Sequence, residues 1–444
     1  MSKLTSDSVS KTLIRMAIPM LAGTFSLNAY NLTDTWFVSR LGTNALAAMS
    51  FTFPVVMLLG FVMRGVITGA MALVAHALGG RRHERAARLT THAIFLISII
   101  SVVITTAGLI SMKALFARLG ATGEILLMTR QYMGIWYCGL ILLGIHVLLG
   151  DIIMGSGNTT LASLLMVSGT AINFILDPIM IFGLMGFPEM GIRGAALATV
   201  LSEMIVMAIA IYIIHRKLHL LTPLALSMNR MLISWRRILR LGIPSIFGWI
   251  LTPISSAIII RIVVGFGESA VAACGVAGRI EMFAFMIPMT VGMSIVPFVA
   301  QNFGARHFDR ILSARRGTMI FAMGFGFFIA IIFLIVIRPI AALFSSDEKV
   351  ISVLVHYIRV TCLGYGFIEV FRYAGFFMTG MHQTKSTALL NTTRALFLLI
   401  PLSLIGAYIF GLTGVFAGRL VSDILAGSIG FFWSGRVIRN QMLK

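Results

Sequence analysis

Twelve apolar runs, separated by short polar connections, follow one another along the chain. A helix needs about 20 mostly apolar residues to cross a bilayer. The runs at 12–38, 45–76, 90–112, 129–153, 161–184, 192–214, 236–262, 270–300, 316–337, 353–378, 387–409 and 413–434 each meet that length. They predict twelve transmembrane helices. The longest connection, 215–235, carries Arg216, Lys217, Arg230 and Trp235 and leaves no room for an extramembrane domain.

Composition narrows the class further. Of the 444 residues 58% are apolar and only 11% charged, less than half the ~25% usual in soluble domains. A soluble fold would lack polar surface, and a disordered chain this apolar would collapse. The 43 Gly and 11 Pro show no collagen-like period. The net charge of +20, from 35 Lys+Arg against 15 Asp+Glu, would suggest nucleic acid in a soluble protein. Here it sits in loops between apolar runs, where it reads as topology and contact with anionic membrane lipids. Nucleic acid is therefore not an expected partner. One set of connections holds Lys3, Lys11, Arg15, Arg81, Arg82, Arg85, Arg88, the 216–240 group, Arg306, Arg310, Arg315, Arg316, Lys385, Arg436, Arg439 and Lys444. The opposite set, including Arg40, Lys113, Arg118 and Arg193, is sparser. Both termini are thus expected on the cytoplasmic side. No A-x-A-like cleavage site follows the first run, so the first span is expected to stay in the protein. Cys138, Cys274 and Cys362 lie in apolar stretches without a pairing pattern and read as buried free thiols.

The chain is duplicated. Shifting it by 225 residues lays Arg15, Ile18 and Pro19 on Arg240, Ile243 and Pro244, and Gly42 and Ala45 on Gly267 and Ala270. The same shift lays Gly79, Arg81 and Glu84 on Gly304, Arg306 and Asp309, and Tyr132, Gly155 and Thr159 on Tyr357, Gly380 and Thr384. The register then slips to 220, where Gly191, Gly194, Ser202 and Glu203 meet Gly411, Gly414, Ser422 and Asp423. Six spans per half is an even number, so both halves enter from the same side. The expected fold is an all-α polytopic membrane protein, with two parallel six-helix lobes related by a pseudo-two-fold axis along the membrane normal. The expected division is 1–214 as the first lobe, 215–235 as a cytoplasmic linker and 236–444 as the second lobe. Pro253, Pro288 and Pro297, deep in spans seven and eight, each free a backbone carbonyl and mark bend points or static kinks.

A duplicated scaffold separates structure from function, because charge present in only one copy is not needed to build the helices. Ionisable groups at membrane depth cost ~2.5–3.5 kcal/mol on insertion scales. Asp34 in span one faces Ile259 in the repeat, Asp177 in span five faces Leu402, and Asn173, one turn earlier, faces Leu398. Thr199 in span six faces Arg419. Two carboxylates, an amide and a hydroxyl suit a proton or Na⁺. Asp34, Asn173 and Asp177 would be the metal ligands only with Na⁺. The competing structural reading is a hydrogen bond between helices for Asp34 and a turn before Pro178 for Asp177. In the second half Glu281 and Glu369 are unmatched and are candidates for coupling or substrate binding. Glu369–Arg372 (i, i+3) and Arg419–Asp423 (i, i+4) can equally neutralise each other. Glu203 and Asp423 occur in both halves, which favours structure. Arg64, Arg261, Arg279 and Arg372 have no role assigned from sequence. The 28 Met and 32 Phe permit a broad-specificity cavity.

Enzymatic signatures are missing. The chain has no G-x-x-x-x-G-K-[ST] loop, no H-E-x-x-H and no G-x-S-x-G. His76 and His146 read as hydrogen-bonded structural histidines.

These residues resemble the multidrug and toxic compound extrusion (MATE) family. Asn31-Leu-Thr-Asp34-Thr-Trp-Phe-Val-Ser-Arg40-Leu-Gly42 is similar to its first-helix signature. Ala75-His-Ala-Leu-Gly79 and Ala300-Gln-Asn-Phe-Gly304 resemble its loops after spans two and eight. Gly155-Ser-Gly157-Asn-Thr resembles its G-x-G-[DN]-T element, while Thr379-Gly380-Met-His-Gln-Thr384 lacks the second Gly. The resemblance implies two lobes around a central cavity and alternating access. It implies a secondary antiporter, not an enzyme, that exports cationic or amphiphilic organic compounds in exchange for H⁺ or Na⁺ and has no cofactor. In the DinF-like prokaryotic branch the coupling positions correspond to Asp34, Asn173, Asp177 and Thr199. The second-lobe acids of the other branch correspond loosely to Glu281 and Glu369. A monomer in the bacterial inner membrane is expected. The alternatives are a lipid-linked precursor flippase and a membrane-embedded lipid-modifying enzyme.

Overall fold

The computed structural model describes residues 3–222 and 227–443, apart from the Lys3 side chain. Lys444 and residues 223–226 of the 215–235 connection, assigned above to the cytoplasmic side, lie outside the described residues. Among the described residues every element is helical. In the first half they are α1 Lys3–Ser6, α2 Val9–Ser39, α3 Thr43–Gly79, α4 His83–Arg118, α5 Gly123–Gly155, α6 Thr159–Phe182 and α7 Ile192–Tyr212. The second half has α8 Met228–Val264, α9 Glu268–Ala284, α10 Met286–Gly304, α11 Phe308–Phe344, α12 Glu348–Thr361, α13 Tyr365–Gly380, α14 Thr384–Thr392 and α15 Ile400–Met442.

Ten helical stretches are long and apolar enough to cross a membrane, and two further spans complete twelve. Helix α2 has 31 residues, about 46 Å at 1.5 Å per residue. Its run holds Asn28, Asn31, Thr33 and Asp34, so it is less apolar than the ten. The stretch Thr384–Met442 has 59 residues, about 90 Å of helix, three times the ~30 Å hydrocarbon core. It folds back at Gly411 (φ 62°, ψ −141°), a backbone conformation that a side chain would strain. A Cβ on Gly414 would lie 1.8 Å from the Gly406 carbonyl oxygen, and one on Gly418 2.5 Å from that of Leu402. The two arms therefore pack backbone on backbone, the close approach that small residues give membrane helices. Gly191, its counterpart in the first half, bends the chain the same way (φ 53°, ψ −131°).

The duplication is visible in the backbone. Gly42 and Gly267 share φ near 100° (104° and 100°), and Arg81 and Arg306 share a left-handed turn (58° and 60°). Gly157 (97°) is matched by His382 (63°). The turn survives in the second copy although its glycine is gone. Span eight, expected as one helix over 270–300, is two. It breaks at Phe285 between α9 and α10. Pro288 then falls in the first turn of α10, where a missing N–H costs nothing, and its carbonyl accepts from Tyr373 Oη at 2.8 Å. Cys362 is buried as expected, but Cys138 is exposed and Cys274 half-buried, so burial does not hold for all three thiols.

Packing divides the chain into Met16–Ile246 and, as a second unit, Met1–Arg15 with Phe247–Lys444. The division runs through α2, after Arg15, and through α8, after Ile246. The reason lies in the first turns. In the second unit Leu4 is buried, and its carbonyl accepts from Asn302 Nδ2 and Arg310 Nη2, each at 3.1 Å. In the first unit Trp235 Nε1 of α8 donates to the His92 carbonyl at 2.8 Å. In the first unit α5 packs on α3, α4 and α7; in the second α13 packs on α10, α11 and α15. These central helices are spans four and ten, the same place in the repeat.

Candidate functional site

The first unit gathers its unmatched polar groups from three helices. Asp34 lies on α2, Asn173 and Asp177 on α6, and Thr199 on α7. All four are buried, Asn173 and Asp177 completely. The i, i+4 spacing puts Asn173 and Asp177 on one face of α6, and Asn173 Nδ2 donates to Asp177 Oδ1 at 3.2 Å. Asp34 and Asp177 lie within electrostatic reach of each other. Thr199 is tied to α2 through Tyr30, one turn before Asp34, whose hydroxyl is 3.1 Å from Thr199 Oγ1. Thr199 Oγ1 also donates back to the Ala195 carbonyl at 3.1 Å. Tyr30 lies within electrostatic reach of Asp34.

Three buried oxygens here have no hydrogen-bond partner among the described residues: Asp34 Oδ1, Asn173 Oδ1 and Asp177 Oδ2. Neither aspartate forms an ion pair among those residues. A buried, unpartnered carboxylate is costly. Two within reach of one another are stable only if protons or a cation neutralise them. Such an oxygen set takes up H⁺ by titration or a hard cation by coordination. No group of three or more His, Cys, Asp or Glu among the described residues could hold a metal ion, so a cation here would rely on Asn173 and Thr199 as well as the two carboxylates. The competing readings for Asp34 and Asp177, an interhelical bond and a turn, leave these oxygens unexplained.

The second unit solves the same problem with arginine. Glu281 Oε1 accepts from Tyr365 Oη, and Glu281 Oε2 from Arg419 Nη2, both at 2.9 Å. Arg419 also reaches Asp423 at 3.8 Å, but the close partner of Asp423 is Arg394, at 2.6 and 3.0 Å. The i, i+4 pair expected from sequence is thus the weaker arm of a longer chain. Glu369 pairs with Arg372 as its i, i+3 spacing suggests, and the Arg372 guanidinium stacks 4.8 Å over Phe285 at the break in span eight. Three buried carboxylates meet three guanidinium groups, and the set is neutral without any bound ion. The repeat supplies the contrast: Arg419, which neutralises Glu281, stands where the first half has Thr199.

Sequence reasoning missed several polar groups. Tyr30 carried a usable signal, its i, i+4 spacing to Asp34. Tyr132 lies within the field of both Asp34 and Asp177, but its match with Tyr357 in the repeat made it look like scaffold. Asp151 accepts from Arg64 Nη1 through both oxygens at 3.2 Å, which gives Arg64 the partner it lacked in sequence. His146 pairs with Glu203.

Comparison with known proteins places this architecture. The sequence model of the MatE family matches residues 19–179 and 244–405, one segment in each half of the duplication. The chain is 30% identical over 434 residues to an FAD transporter of Shewanella oneidensis, covering 98% of this chain and 96% of that one. It is 23% identical to the probable multidrug resistance protein NorM of Thermotoga maritima, over 98% and 94% of the two chains. The crystal structure of the Vibrio cholerae MATE transporter VcmN in its bent form superposes with a TM-score of 0.93, at 26% identity and over 99% of both chains. Twelve spans, the duplicated backbone and these matches together make the chain an integral membrane protein and a transporter, not an enzyme: it belongs to the MATE family.

Proposed function

We propose that this chain is a secondary active antiporter, with Asp34, Asn173, Asp177 and Thr199 as its cation-coupling site. The observation that carries the reading is the charge contrast between the halves. Buried acids of the second unit are matched by Arg372, Arg394 and Arg419, whereas Asp34 and Asp177 have no cationic partner among the described residues. An entering H⁺ or Na⁺ lowers the negative charge of the pair, which changes how α2 packs on α6 and α7. The ion drives export only if it binds the inward- and outward-open states with different affinity. The paired acids Glu281 and Glu369 are then framework and substrate-wall groups rather than the ion site. The protein works as a monomer in the bacterial inner membrane, with both termini in the cytoplasm.

The exported compound is organic and amphiphilic, and cationic in the reading drawn from family resemblance. A second reading, a flavin dinucleotide, is favoured by the 30% identity to the Shewanella oneidensis FAD transporter. Neither the FAD transporter nor NorM is named for a lipid-linked precursor. The test is transport in proteoliposomes with Na⁺ and proton gradients imposed separately, with ethidium and FAD as alternative cargoes. Gradient-driven efflux of one cargo is expected, and Asp34→Asn is expected to abolish its dependence on the gradient. Unchanged gradient-driven efflux by Asp34→Asn would remove this site from the mechanism.

A further inference from the structure

The first unit holds a second concentration of charge where α3 turns into α4. Arg81 takes the left-handed turn, and Arg82, Arg85 and Arg88 follow at i, i+3 and i+6 along α4. The start of α8 is fastened beside them. His92 Nδ1 lies 2.8 Å from Ser234 Oγ, and Trp235 Nε1 donates to the His92 carbonyl. This docking brings Arg237 into the field of Arg85, together with Arg82 and Arg88. None of the four arginines forms an ion pair among the described residues.

The repeat shows what this position does when it is satisfied internally. The counterpart of Arg85 is Arg310. Arg310 donates to the Leu4 carbonyl at 3.1 Å, to the Asp7 carbonyl at 2.5 Å and to Asn302 Oδ1 at 2.9 Å. The first half cannot copy this. Asn302 is replaced by Ala77, and the segment matching residues 4–7 is 229–232, whose carbonyls are engaged within the long helix α8. Arg85 therefore keeps its donors and meets like charge.

Depth selects the ligand. The apolar run of α4 starts at Thr90. Arg88 and Arg85 lie about 3 and 7 Å before it at 1.5 Å per residue, in the interfacial zone outside the hydrocarbon core. Trp235 beside them is the residue type that sits at that level.

We propose that Arg82, Arg85, Arg88 and Arg237 bind the phosphate of an anionic phospholipid headgroup. The lipid anion reduces the repulsion among the arginines and fastens the start of α8 to α4.

The test is native mass spectrometry of the purified full-length protein titrated with phosphatidylglycerol or phosphatidylcholine. The wild type is expected to hold phosphatidylglycerol selectively. Arg85→Gln/Arg88→Gln is expected to weaken it about thirtyfold, and Arg85→Lys/Arg88→Lys by far less. The control pair Arg40→Gln/Lys113→Gln is expected to change nothing. If the double Gln variant does not fold, Arg85→Gln alone serves, with about a fivefold loss expected. Equal retention of phosphatidylglycerol by the Gln variants would overturn the proposal. So would its displacement by millimolar inorganic phosphate, which would mark a site for soluble phosphates.

Discussion

At the scale of single residues, the same buried carboxylate has opposite consequences in the two halves. Arg419 is the charged partner of Glu281, so Arg419→Leu strands that acid in a low dielectric, while Asp423 keeps Arg394. We expect a loss of about 3–5 kcal/mol, with most of it recovered in Arg419→Leu/Glu281→Leu. Denaturation in detergent, followed by tryptophan fluorescence, measures both. Asp34 has no such debtor. Asp34→Leu removes a costly group and strands no cation, so it is expected to leave stability unchanged or higher while abolishing ion-driven transport. A fall of several kcal/mol in Asp34→Leu would make Asp34 a structural residue. Tyr30→Phe removes one hydrogen bond to Thr199 and is expected to cost about 1 kcal/mol.

At the scale of elements, glycines set how closely helices approach. The α15 fold-back needs Gly414, since a Cβ there would overlap the Gly406 carbonyl oxygen. Backbone cannot move aside as a flexible side chain can. Gly414→Ala is therefore expected to abolish monodisperse protein on size exclusion, while Gly134→Ala, with open space around it, behaves as the wild type. His382 holds its turn at φ 63° without being glycine. His382→Gly is expected to stabilise the protein by up to about 1 kcal/mol, read as a rise in Tm. A drop would mean that the His382 ring contact with Phe303 outweighs the backbone strain.

At the scale of the whole molecule, each half begins with a segment that does not pack among the helices that follow it. Residues 3–15 belong to the unit of the second half, and the first part of α8 to that of the first half. Helix α2, which carries Asp34, is therefore anchored at its start in one unit and belongs to the other from Met16 onward. Deleting residues 1–8 removes the Leu4 and Asp7 carbonyls that accept from Arg310 and Asn302. The deletion is expected to cost about 1–3 kcal/mol and to uncouple ion gradient from efflux, measured by unfolding and by proteoliposome transport. Full coupling in the deletion would show that this anchoring carries no signal to α2.

The sequence by itself determined the number of spans, their duplication and the acids that the duplication does not explain. Apolar length against bilayer thickness is a one-dimensional property, and a repeat compares the chain with itself. Asp34, Asn173, Asp177 and Thr199 were legible because their counterparts are Ile259, Leu398, Leu402 and Arg419. Only the tertiary structure decided which charges are neutralised. Arg419 with Glu281, Arg394 with Asp423 and Arg64 with Asp151 join residues 138, 29 and 87 positions apart. It also decided that span eight breaks at Phe285 and that residues 3–15 pack away from their own half. Ion pairing and helix docking depend on which side chains meet across helices, and local spacing does not encode that.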